Sequence, residues 1–237
     1  MSDQPCVSIN DLQFAWRPGD LVLDVASLQI NRGEKLFLQG ASGSGKSTLL
    51  GLIAGVYEQT AGEVVVCGHT LGEMGANARD ALRADAMGVI FQQFNLVPYL
   101  SLVENVLLPC QFAAARARRA GADRSARRRN AHDLLHRLGL GKEAREDRPV
   151  AELSVGQQQR VAAARALIGE PSLIIADEPT SALDGELRDA FIEMLIEEAK
   201  NASVLFVSHD VSLAARFDRA IAMQDINAAD SKKARVA

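Results

Sequence analysis

The stretch Gly40-Ala41-Ser42-Gly43-Ser44-Gly45-Lys46-Ser47-Thr48 constrains this chain more than any other. It follows the apolar run Leu36-Phe37-Leu38 and opens a helical stretch, Ser47 to Ala54. A buried strand, a glycine-rich turn and a helix, in that order, wrap backbone N–H groups around an anion. The helix N-terminus adds partial positive charge. Lys46 is spaced to reach the β- and γ-phosphates of a nucleoside triphosphate, and the Ser47 hydroxyl to meet Mg²⁺. The ligand these residues predict is a nucleoside triphosphate with Mg²⁺, and the fold is an α/β core built around a phosphate loop.

The rest of the chain fits such a core. Val7 to Trp16, Leu21 to Ile30 and Glu63 to Cys67 are short β-prone runs separated by turn signals such as Arg17-Pro18-Gly19-Asp20. Ala86 to Phe91 is a further short strand. From Ser101 to Ile168 the character turns helical. Leu173-Ile174-Ile175-Ala176 and Val204-Leu205-Phe206-Val207 are continuous apolar runs, as strands covered on both faces of a parallel sheet require. Gly185 to Ala199 between them has a helical apolar period.

Composition narrows the function classes. A net charge of −4 over 237 residues argues against a dedicated nucleic-acid binder, which needs a basic surface. Cys6, Cys67 and Cys110 lie far apart without metal-type spacing and read as reduced thiols. The start Met-Ser-Asp-Gln-Pro shows no secretory pattern, and no apolar run approaches the roughly 20 residues that span a bilayer. Arg116, Arg118, Arg119, Arg124, Arg127, Arg128 and Arg129 form one basic cluster, expected as a solvated helical face. Contact with anionic headgroups or a partner's acidic surface is the sharper reading of that cluster.

Two further motifs carry chemistry. Leu173 to Ala176 runs into Asp177-Glu178, placing two carboxylates beyond the carboxyl end of a sheet strand, where ligands of open α/β sheets collect. One suits Mg²⁺ and the next an attacking water. Ser154, in Leu153-Ser154-Val155-Gly156-Gln157, reads as the N-cap of a helix running through Val161 to Ile168, and that helix start offers a second anion site.

In this order, phosphate loop, Ser-x-Gly-Gln helix and Asp-Glu strand, the chain resembles the ATP-binding subunit of an ATP-binding-cassette (ABC) transporter over nearly its whole length. The resemblance implies an ABC-type nucleotide-binding domain over residues 1–225. That domain has an N-terminal antiparallel β-subdomain and an inserted helical subdomain at about 99–166; residues 226–237, beyond it, are expected as a flexible tail. It implies ATP and Mg²⁺ as ligands, held by Gly40 to Thr48 with Lys46 on the phosphates. It makes Glu178 the catalytic carboxylate, His209 the switch histidine near the γ-phosphate, and Trp16 the aromatic that stacks on adenine. Ser47, Asp177 and Gln92 are then the groups around Mg²⁺, with Gln92 also touching a membrane partner. Ser154, Gly156 and Gln157 grip nucleotide held by the opposite subunit, and Asp184, in Ser181-Ala182-Leu183-Asp184, lies in the dimer-contacting loop. Where the family usually has a first signature glycine this chain has Val155, which is expected to be tolerated if that position is helical or extended.

The implied protein is an ATP hydrolase at the cytoplasmic face of the inner membrane. It is peripheral through a transmembrane permease and paired with a second ATP-binding subunit, a homodimer being expected. Phe91-Gln92-Gln93-Phe94-Asn95-Leu96-Val97-Pro98 and Glu104 to Pro109 look most like the lipoprotein-release and macrolide-export subfamily. An importer subunit of phosphonate or amino-acid type, or an ATPase that regulates a membrane partner without transport, are the alternatives.

Overall fold

Alternating burial organises the first third of the chain. In the computed structural model, which describes residues 4–146 and 148–229, the strands are β1 (Val7–Ala15), β2 (Leu21–Ile30), β3 (Lys35–Gln39), β4 (Ala61–Val66), β5 (His69–Thr70), β6 (Met87–Ile90), β7 (Leu173–Asp177), β8 (Ser203–Ser208) and β9 (Arg219–Ala222). The helices are α1 (Lys46–Ile53), α2 (Ala76–Ala86), α3 (Leu102–Leu107), α4 (Ala114–Ala120), α5 (Arg124–Arg137), α6 (Gly141–Arg145), α7 (Val155–Leu167), α8 (Gly185–Glu198) and α9 (Met223–Ile226). The chain divides into two units, residues 1–83 with 203–237, and residues 84–202.

The first unit holds an antiparallel sheet in the order β2-β1-β4-β5. Val7, Ile9, Leu12 and Phe14 of β1 are buried, and the alternation skips one step between Ile9 and Leu12. Asp11 absorbs that step at φ 48°, where the pairing with β4 shifts register. Gly62 lies against this bulge: a Cβ there would sit 2.2 Å from the Asp11 carbonyl oxygen, so only glycine fits. The same unit holds three parallel strands, with β3 between β8 and β9. Leu36, Phe37, Leu38 and Val204 to Val207 are fully buried, which explains why these strands read as continuous apolar runs. Lys35 of β3 is covered as well, and burial pushes its ammonium pKa down.

In the second unit, β6 and β7 pair in parallel, with Ile90 opposite Ala176. Gly88 of β6 passes so close to α7 that a Cβ would stand 2.2 Å from the Ala166 carbonyl oxygen. Val161 to Ala164 of α7 are fully buried. Small residues let this helix lie close to the strand, which is why its alanine-rich face is not a surface.

The basic cluster is not one solvated face. Arg116 is 2% exposed, and its guanidinium donates to the carbonyls of Ala84, Met87, Arg165, Ala166 and Ile168. Three of these acceptors belong to the C-terminal end of α7, whose unsatisfied carbonyls carry partial negative charge. Burial pulls the Arg116 pKa down to about 10, so it stays protonated at neutral pH. Arg119 likewise bonds the Gly169 and Asp85 carbonyls. At the other end of the chain, residues 226–229 head the expected tail, yet Asn227 and Ala228 bond β2 and Ala229 is buried. Residues 230–237 of that stretch lie outside the described residues.

Candidate functional site

The phosphate loop takes its shape from its glycines. Gly43 and Gly45 sit at φ 79° and 95°, the left-handed region that a side chain disfavours. A Cβ on Gly40 would meet Ser44 Oγ at 2.7 Å and Met223 at 2.9 Å. Gly45 caps α1, so the loop opens directly onto the helix start. Lys46 is buried; its Nζ donates to the Gly40 and Ala41 carbonyls at 2.7 and 2.8 Å, which holds the ammonium across the loop. Asn227 braces the loop: its amide donates to the Ser44 and Val22 carbonyls, and its Oδ1 accepts from the Asp24 N–H at 2.9 Å. This brace, 183 positions from Ser44, has no local sequence signal.

These residues fit a polyphosphate. Ser44 Oγ, in the middle of the loop, is buried without a hydrogen-bond partner among the described residues, a donor left for a ligand oxygen. Among the described residues no cluster of His, Cys, Asp and Glu can hold a metal by itself. The Ser47 hydroxyl, the Asp177 carboxylate and the Gln92 amide oxygen are oxygen donors, the ligand type that Mg²⁺ takes.

Parallel register places His209. Gln39 pairs with Ser208 of β8 and with Ala222 of β9. The three strands therefore end together, and the residues that follow them are Gly40, His209 and Met223 at one edge. His209 is exposed there. Trp16 is 55% exposed, so it is not a core residue. Its ring meets Phe14 and Tyr57 edge-on at 4.8 and 4.9 Å, and Tyr57 lies against Gly51 of α1. The one tryptophan is thus fixed through Tyr57 to the helix that the phosphate loop opens.

In the second unit the same logic joins two loops. Ile90 and Ala176 are paired, so Phe91-Gln92 and Asp177-Glu178 leave the sheet side by side. Gln92 and Gln93 are both exposed, and Glu178 is half-buried at φ 47°. A non-glycine residue there is uncommon and costs of the order of 1 kcal/mol or more. Phe94 and Asn95 also have positive φ, 58° and 49°.

Helix α7 holds both loops. Buried Arg165 donates to the Phe94 and Asn95 carbonyls at 2.5 and 2.6 Å, and burial lowers its pKa. Fully buried Gln159 donates to the Pro179 carbonyl at 2.6 Å, just beyond Glu178. Neither residue was among the sequence-derived candidates. The available signal was polar side chains on a helix face that otherwise reads as alanine-rich core.

The start of α7 is the expected cap. Ser154 Oγ accepts from the Gln157 N–H, and Gln157 Oε1 accepts from the Ser154 N–H at 3.0 Å, a reciprocal capping box. Ser154 is exposed, and Val155 is the first helical residue, 50% exposed. A right-handed helical position suits a β-branched residue, so Val155 needs no glycine there. Gly156 faces Leu183 with room to spare, a Cβ standing 3.7 Å from its Cδ2. Asp184 caps α8 by accepting from the Leu187 N–H.

Known proteins share this arrangement. The family model described as "ABC transporter" matches residues 23–181. The ABC transporter ATP-binding protein YbbA of Escherichia coli K12 is 42% identical, over 84% of this chain and 85% of its own length. The lipoprotein-releasing system ATP-binding protein LolD of Shewanella sp. MR-4 is 39% identical, over 92% of this chain and 93% of its own. Among solved structures, the ATP-binding cassette MJ0796, a dimer in a post-hydrolysis state bound to ADP and Pi, superposes with a TM-score of 0.79 at 34% identity. That match covers 91% of this chain and 93% of the other. With its phosphate loop, its capped Ser154 helix and its Asp177-Glu178 strand end, this chain belongs to the ABC transporter family as an ATP-binding subunit.

Proposed function

We propose that this chain hydrolyses ATP to ADP and phosphate and thereby powers a membrane transporter of the export or lipoprotein-release type. The observation that carries the reading is the exposed, capped Ser154 at the head of α7, the helix that also holds the Gln92 and Glu178 loops. A kinase needs the phosphate loop and the acidic strand end but has no use for this second anion site.

The chain's residues divide the work. Backbone N–H groups of Gly40 to Thr48 bind the phosphates, Lys46 neutralises charge on the β- and γ-oxygens, and Trp16 stacks on the adenine ring. Ser47, Asp177 and Gln92 would hold Mg²⁺, which would supply positive charge to offset that of the phosphates. Glu178 orients the attacking water, and His209 donates toward the γ-phosphate as charge builds. Ser154, Gly156 and Gln157 act on nucleotide held by a second copy, with Asp184 in the loop between copies. The site is then shared, and binding closes the dimer while hydrolysis reopens it.

The partners of this reading are a transmembrane permease and a second ATP-binding subunit, with no nucleic acid. Among the described residues no helix is long and apolar enough to cross a membrane. In this reading the chain is peripheral, held at the cytoplasmic face through the permease. Likeness to LolD supports the lipoprotein-release choice. The test is purification of the chain with its membrane partner, followed by product analysis. Phosphate release that depends on Mg²⁺ and rises with the permease present is expected. Transfer of the γ-phosphate to an acceptor molecule would overturn the reading.

A further inference from the structure

Two cysteines that the sequence separates are brought together by the antiparallel sheet. Val7 of β1 pairs with Val66 of β4, so Cys6 and Cys67, one residue beyond each, stand opposite one another. Their Sγ atoms are 3.8 Å apart across 61 positions of chain, and the Cys67 N–H donates to the Cys6 carbonyl at 2.7 Å. We propose that Cys6 and Cys67 form a reversible disulfide, an oxidation site separate from the nucleotide machinery.

Three observations converge on this pair. The first is reach: a disulfide needs its sulfurs at about 2.0 Å, and thiols already in contact on neighbouring strands close that gap by side-chain rotation. The second is the backbone under Cys67. Val66-Cys67-Gly68-His69 is the two-residue turn between β4 and β5, with φ 51° at Cys67 and 82° at Gly68. Such a turn prefers Asn, Asp or Gly at its first central position, and a cysteine there is uncommon. The third is acidity. The contact with Cys67, a hydrogen bond to Ser203 and the nearby charge of Arg32 outweigh burial and bring the Cys6 pKa down to about 7. Cys110 is the internal contrast: it is buried, and burial pushes its thiol up.

The chemistry balances with a hydroperoxide as oxidant. Cys6, the acidic member of the pair, supplies the thiolate. That thiolate attacks one peroxide oxygen; an S–O bond forms, the O–O bond breaks, and hydroxide leaves and takes up the proton released on ionisation. Cys67 then attacks the sulfenic sulfur; the S–S bond forms, the S–O bond breaks, and the Cys67 proton departs with that oxygen as water. Two thiols lose two electrons, and hydrogen peroxide becomes two waters.

The test uses the full-length protein treated with hydrogen peroxide, then mapped by non-reducing peptide mass spectrometry. Expected is one intramolecular Cys6–Cys67 cross-link, with Cys110 still a thiol and full reversal by dithiothreitol. The link closes a long loop, so the oxidised protein is expected to melt roughly 5–10 °C higher, a rise absent in Cys67→Ser. The proposal is overturned if Cys6 and Cys67 stay reduced, if they advance separately to sulfinic acid, or if the cross-links found join Cys110 or two chains. The mapping needs no variant, so a misfolded Cys67→Ser leaves the answer intact.

Discussion

At the scale of single residues, the phosphate loop is a conformation first and a set of ligands second. Lys46 is fixed by two loop carbonyls, and Asn227 fixes the loop from behind through Ser44. Lys46→Ala is expected to weaken ATP binding about 10- to 100-fold by calorimetric titration, the value of a charge-assisted contact to phosphate. Asn227→Ala touches no ligand, yet it releases the Ser44 carbonyl and the Asp24 N–H. ATP affinity about 3- to 10-fold weaker is expected, and unchanged affinity would show that the loop holds its own shape. Lys46, Ser47 and the glycines were legible in the sequence because their chemistry is local. Asn227 was not, because a lone asparagine near a chain end reads like any loop residue until the fold carries it to the loop.

At the scale of elements, α7 organises the second unit. Its N-terminus presents Ser154, its second turn holds the Pro179 carbonyl through Gln159, and its last turn both holds the Phe94 and Asn95 carbonyls through Arg165 and receives Arg116. Arg165→Met is expected to lower the turnover of ATP about 10- to 100-fold with nucleotide affinity little changed, since it displaces the Gln92 loop and leaves the phosphate loop intact. Arg165→Lys is expected to restore little, because one ammonium does not reproduce the fork that grips two carbonyls. Arg116→Met is expected to cost about 3 kcal/mol or more in chemical denaturation, because five carbonyls lose a buried charged donor. The sequence showed α7, its cap and the apolar strands clearly, since periodicity and capping are short-range signals. It misled at Arg116: seven arginines between positions 116 and 129 suggest a wetted surface, and only the helix end facing Arg116 makes burial tolerable. Strand β9 was also missed, because Arg219-Ala220-Ile221-Ala222 is too short and half-exposed to carry a strand period.

At the scale of the whole molecule, the proposed function gives the chain two roles in a shared site: its phosphate loop holds ATP and its exposed Ser154 acts on another copy's ATP. In the proposed dimer Glu178 drives hydrolysis. The direct measurement is Glu178→Gln, assayed for phosphate release and, by light scattering, for mass with Mg²⁺ and ATP. Expected is turnover reduced by about 100-fold or more, with a stable dimer that retains ATP and that the unsubstituted chain forms only transiently. Turnover unchanged from the unsubstituted protein, or a variant that stays monomeric with ATP bound, would contradict it.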